Sequence, residues 1–234
     1  LANRFVESGW SVKAMHRLIM LSATYQMSTT FSPAAAETDP DNRLLWRMNR
    51  RRLEAEAVRD SLLFVGGDLD TSLGGSLLKS KPRAYVTSTT SVDATSYATN
   101  RRSLYLPVVR SALYEPFQAF DFAEPTTIKG DRDSTTVASQ ALFMMNSEVM
   151  NEQSLRLAER LLAEYPSDRA ARAKGLYMIA FGRSPTEAEV TRALGFVERY
   201  AREAAASGDA AADMPAWHAL CRVILSSNEF LYVE

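Results

Sequence analysis

From residue 134 almost to its end the sequence punctuates itself as helices, and this limits the fold more than any other feature. Ser147 stands where a cap opens a helix running to about Glu164, since a serine hydroxyl can accept from an otherwise unbonded first-turn N–H. A helix over 168–181 is closed by Gly182, one position past its end, where a left-handed backbone favours glycine. Ser184-Pro185-Thr186-Glu187 supplies a cap, a first-turn proline and a reciprocal glutamate for the next helix. Val190, Ala193, Leu194, Val197, Tyr200 and Ala201 then recur on one face. Thr136 is expected to cap the helix through Met145. After a small-residue linker at 204–213, a last helix from Pro215 is expected to bury Trp217, Leu220, Cys221, Ile224 and Leu225.

The first half is less regular. A short helix over 2–7 ends at Gly9, and Ser11 caps a helix over about 12–27. Val12, Met15, Ile19 and Ala23, with Leu18, Leu21 and Tyr25, make it apolar around most of its circumference, which predicts a helix central to its domain. Residues 29–42 read as a loop. A helix over 50–65 follows, with Leu53, Ala57, Ser61, Leu62 and Val65 on one face and Arg52, Glu56, Arg59 and Asp60 on another, stopped by Gly66-Gly67. Residues 83–90 and 103–110 are rich in β-branched and aromatic types and read as two short antiparallel strands, Pro107 marking an edge or bulge. The fold class is therefore mainly α: an irregular multi-helix domain with a small two-stranded antiparallel insertion around 83–110. Residues 1–234 are taken as one domain fragment, with a helical part over 1–82, a hairpin and loops over 83–133, and a second helical part over 134–234. Leu1 falls inside a helical pattern, so a preceding segment is expected.

Composition narrows the chemistry. Lys+Arg 27 against Asp+Glu 28 leaves a net charge of −1, which gives no global field favouring nucleic acid or an anionic membrane surface. Cys221 is the single cysteine, so an internal disulfide, a thiolate zinc cluster and a Cys-x-x-Cys-His haem attachment are excluded within this chain. No apolar run is long enough to span a bilayer. The motifs of serine hydrolases, dinucleotide-binding folds, P-loops and zinc peptidases do not occur.

The strongest polar constellation is Arg50-Arg51-Arg52 with Glu54, Glu56, Arg59 and Asp60. Spacing of four aligns Arg52 with Glu56 and Glu56 with Asp60 on a helix, and an arginine fork suits a carboxylate or phosphate. Arg51, Arg52, Glu56, Arg59 and Asp60 are accordingly the candidate set, either a ligand site or an internal ion-pair network; no catalytic or metal residue is assigned. His16 and His218 lack ligand spacing and are read as packed, hydrogen-bonded histidines. Thr135, Thr136 and Gln140, preceded by Arg132 and Asp133, mark a helix start. The pairs Asp68/Asp70 and Asp39/Asp41 lack the spacing of a calcium loop and read as turns bonded to local backbone.

Residues 5–25, 39–60 (DPDNRLLWRMNRRRLEAEAVRD), 66–75, 101–107 (RRSLYLP), 120–125 (FDFAEP), 135–146 (TTVASQALFMMN) and 226–233 together resemble the planctomycete cytochrome-associated domain of unknown function 1553. The resemblance spans nearly the whole chain; Ala138 departs from it by standing where the family often has proline. It implies a helical domain in an exported protein, periplasmic or extracellular, beside a cytochrome-c-like module that would carry any haem, and it implies no catalytic residue. A non-enzymatic binding or scaffold module is the expected function, with upstream domains of the same protein or a polysaccharide as partners. The alternative is a polymer-processing, polysaccharide hydrolase-like enzyme, or a redox-linked component. Its acid–base carboxylates would come from Glu56, Asp60, Asp121 and Asp133.

Overall fold

The structure is a computed structural model that describes residues 1–75, 77, 97–108, 113–123, 127–128, 130–206 and 213–233. Two compact units result, one of Leu1–Arg52 with Tyr232–Glu234, the other of Leu53–Leu231. Among the described residues there are eleven α-helices and one two-stranded antiparallel sheet, so the mainly α class with a small sheet holds.

In the first unit, α1 (Ala2–Glu7), α2 (Val12–Met20) and α3 (Pro33–Thr38) are short, and the last two are opened by serine caps. Ser11 Oγ accepts from the Ala14 N–H at 3.2 Å, the expected cap. Ser32 caps α3, with Pro33 in its first turn, so 29–42 is not all loop. None of these helices contains a buried residue, which corrects the expectation that 12–27 is a central helix. Helix α2 also stops at Met20. An apolar periodicity reports which side chains can share a face, not whether anything covers it. The loop after α3 is held by Asp39, whose carboxylate accepts from the N–H groups of Arg43 (3.0 Å) and Leu44 (2.7 Å). Strand β1 (Arg51–Arg52) pairs with β2 (Tyr232–Val233), Arg51 opposite Val233 and Arg52 opposite Tyr232.

The sheet among the described residues lies at 51–52 and 232–233. Residues 83–90 are outside the described residues. Ser103–Tyr105 forms a 3₁₀ turn rather than a strand. Its β-like composition reflects packing: Ser103 and Leu106 are buried and Tyr105 partly so.

The second unit is built on α4 (Ala55–Gly66), α5 (Glu115–Ala119), α6 (Ala138–Asn146), α7 (Glu148–Glu164), α8 (Arg169–Phe181), α9 (Glu187–Ala206), α10 (Asp213–Leu225) and α11 (Asn228–Leu231). Helix α7 is its centre and packs on both α4 and α10. Met150, Gln153, Ser154, Leu157, Ala158 and Leu161 form the buried stripe of α7, spaced by three and four. Against it α10 lays Ala216, Trp217, Leu220, Cys221, Ile224 and Leu225, the expected face. Fully burying a leucine-sized side chain contributes about 1.5–3 kcal/mol, so this stripe holds the unit together.

Local signals set most helix ends here. Ser147 caps α7 by accepting from Met150 N–H, Asp168 caps α8, and Gly182 closes α8 at φ 70°. The start of α9 is shifted from the expected pairing. Thr186 is the cap, and Glu189 returns the bond by accepting from the Thr186 N–H at 2.7 Å. Likewise Thr136 does not cap α6. Val137 occupies that position, and Gln140 Oε1 accepts from its N–H at 3.4 Å.

Candidate functional site

Arg59 is 2% exposed, although α4 was expected to carry it on a polar face. Helix α4 begins at Ala55, not Arg50, and its buried residues are Ala55, Val58, Arg59, Leu62, Leu63, Val65 and Gly66. The guanidinium reaches over the segment 97–103 and holds it by its backbone. Nη1 donates to the Arg101 carbonyl at 2.8 Å and to Ser103 Oγ at 3.3 Å, and Nη2 donates to the Thr99 carbonyl. Asp60 completes the clamp. Its carboxylate accepts from the Ser103 N–H (2.8 and 3.1 Å) and the Ser103 hydroxyl (2.6 Å). A buried arginine is tolerable only when its donors are matched in this way.

Glu56 faces a different loop. Arg132 grips it bidentately at 2.7 and 2.9 Å and also reaches Glu54 at 3.2 Å, with its guanidinium 5.4 Å from the Phe122 ring centroid. These bonds favour the charged guanidinium and raise its pKa. Glu56, Arg59 and Asp60 thus lie on one helix but serve two separate anchors. Arg51 and Arg52 are not on that helix; they form β1 of the other unit.

The remaining expected acid–base residues are also engaged. Asp121, at φ 55°, accepts from the Thr135 N–H at 2.8 Å and from its hydroxyl at 2.9 and 3.0 Å. Asp133 has an interaction of its own as well. Asp68 pairs with Arg156 at 2.6 Å, and Asp70 accepts from the Ser72 N–H, which lowers its pKa. No group of three or more histidine, cysteine or acidic residues among the described residues could hold a metal ion.

His16 is exposed rather than packed. His218 Nε2 lies 3.1 Å from Ser154 Oγ, a pair that sequence spacing does not show. Ser154 is 0% exposed, so no substrate reaches its hydroxyl, and burial lowers the His218 pKa. Cys221 is equally buried, and burial pushes its thiol pKa far up, which leaves it inert.

Two further arginine clamps escaped the sequence reading. Arg172 donates to the carbonyls of Tyr165 and Pro166 and to Asp213, with its guanidinium 4.9 Å from the Trp217 ring centroid. Arg183 joins Glu189 and Glu229, and Glu189 is held down to about 2 by that arginine and by Thr186.

One open feature adjoins the Arg59 clamp, a cleft of about 450 Å³ where α4, α5, α6 and the start of α7 meet the 97–100 segment. Leu63 and Phe143 supply its apolar wall. Tyr97 and Tyr114 stack at 4.9 Å, with Arg59 5.6 Å from the Tyr114 centroid and Phe117 edge-on beyond it. Glu115, Glu148 and Glu152 also line the cleft. Glu152 pairs with Arg156 at 3.5 Å. Glu115 and Glu148 have no hydrogen-bond or ion-pair partner among the described residues. The sequence marked Ser147-Glu148 only as a helix start, and Tyr97 fell in a polar connection with no motif.

The model of a family described as PSD1, a protein of unknown function (DUF1553), matches residues 1–197. No curated protein and no solved structure matches the chain.

Proposed function

The chain belongs to this DUF1553 family, and from that premise we propose that it is a non-enzymatic binding module. The observation that carries this reading is the division of the carboxylates. Three of the four expected acid–base residues, Glu56, Asp60 and Asp121, are each bonded by donors that anchor a loop, and the fourth, Asp133, is engaged as well. A general acid or base must instead meet a substrate proton within hydrogen-bond reach. Glu115 and Glu148 line an open cleft beside an aromatic pair. In this reading Glu56, Arg59 and Asp60 are a structural network, and the cleft is the binding surface.

The sequence resemblance supports placing the module in an exported, planctomycete-type protein, periplasmic or extracellular, next to a cytochrome-c-like domain. Any haem would belong to that neighbour, and this chain would hold no cofactor of its own. Among the described residues no helix is long and apolar enough to cross a membrane. A thermal-shift screen against soluble polysaccharides, acidic sugars and divalent metals tests the reading. A saturable rise in melting temperature without product formation is the expected result. Turnover of a polymer that Asp60→Asn abolishes in a folded protein would sink it.

A further inference from the structure

We propose that the first unit docks on an anionic lipid surface through the exposed side of α1 and α2. The proposal goes beyond the binding-module reading and does not involve the cleft of the second unit. Neither helix contains a buried residue. Val6, Val12, Ile19 and Met20 are exposed, and Trp10, at the corner between the helices, is 67% exposed. About half of the exposed large apolar side chains among the described residues belong to this unit, which is less than a quarter of the chain. At about 3.6 residues per turn, Val12, Ile19 and Met20 fall on one side of α2, with His16 among them and Lys13 and Arg17 along the border. Water-facing aliphatic side chains beside lysine and arginine, with a tryptophan at the edge, suit a helix lying in the headgroup region of a bilayer.

Charge selects this occupant. The net charge of −1 is unevenly spread: the first unit holds eight Lys/Arg against five Asp/Glu, and the remaining residues 19 against 23. Arg4, Lys13 and Arg17 are exposed and have no ion-pair partner among the described residues. Glu7 is the single acid on the two helices. A surface of this sign attracts a negative one. A second copy offering the same face would bring like charge against it, which disfavours self-association there. A neutral polysaccharide complements neither the cations nor the aliphatic side chains. Anionic lipid complements both, since its phosphates meet the basic groups and its acyl boundary takes the apolar ones, and it needs no shaped groove.

Flotation of the full chain with phosphatidylcholine vesicles, with and without about one-third phosphatidylglycerol, tests the proposal, with Trp10 emission as a second readout. Binding is expected to be about tenfold or more tighter to the anionic vesicles, to weaken as salt rises, and to shift the emission to the blue. Trp217 is fully buried, and Trp10→Phe should remove the shift. Lys13→Glu/Arg17→Glu is expected to lose about tenfold or more in affinity. Val12→Ser/Ile19→Ser should lose the blue shift. All four positions are exposed, so unchanged melting temperatures serve as the folding control. No binding to anionic vesicles, equal binding to neutral ones, or indifference to both variants overturns the proposal. Polyglutamate that binds as tightly as the anionic vesicles, without regard to Val12→Ser/Ile19→Ser, overturns it in favour of a soluble acidic partner. A concentration-dependent dimer that shields Trp10 without vesicles overturns it in favour of a second copy. None of these outcomes bears on the cleft, which the polysaccharide screen tests separately.

Discussion

Asp60 and Glu148 are both carboxylates on helices of the same compact unit, and their surroundings are opposite. Asp60 accepts three hydrogen bonds from Ser103 beside a buried arginine, while Glu148 stands at a cleft with no partner among the described residues. In one place polar groups replace water with fixed donors and thereby fix a loop. In the other the protein leaves charge uncompensated. Only the second kind of group retains interaction energy for something outside the fold, because a matched pair must break its own bonds before it binds anything else.

Substitutions should separate the two kinds by their effect on stability. Arg59→Met strands the Thr99 and Arg101 carbonyls and leaves Asp60 without its cation. Breaking such a buried network costs about 3–5 kcal/mol, read as a lowered urea midpoint. A loss under about 1 kcal/mol would mean the clamp is not structural. Glu56→Gln weakens a partly exposed bidentate pair with Arg132. Its expected cost is about 1 kcal/mol and shrinks in high salt.

A smaller effect comes from His218. Burial lowers its folded pKa below the ordinary 6.5, so the unfolded chain binds the proton more tightly. That contribution is complete above pH 6.5 and declines as pH falls from there toward the folded value. Urea midpoints between about pH 7.5 and about pH 5 should show the decline, and His218→Gln should flatten it. Glu148→Gln should be smallest, within about 0.5 kcal/mol, because it breaks no bond and only weakens the charge at the α7 start. A large loss at Glu148 would remove the contrast with Asp60.

Much of the second unit was legible in sequence. The caps Ser147 and Asp168, the stop at Gly182 and the buried face of α10 are local signals, decided within one or two turns. The polar cluster at 50–60 was legible as residues but not as an arrangement. Its helix starts at Ala55, because Arg51 and Arg52 pair with 232–233, a partner about 180 residues away that no local rule names. Arg59 was expected on the polar face of α4. The Thr99 and Arg101 carbonyls, some 40 positions on, turn its burial into a favourable arrangement. The cleft was not legible at all, since its described lining residues come from five separated stretches.

The sequence by itself determined that the chain would be mainly helical, where most helices of the second unit start and stop, and that Cys221 would be a buried thiol. Caps, left-handed glycines and apolar spacing act over a few residues and need no partner. The tertiary structure decided which helices acquire a buried face, why α7 does and α2 does not, and which carboxylates are tied up and which stay open. Burial and pairing depend on what another part of the chain brings alongside, and that is a property of the packed fold rather than of any one segment.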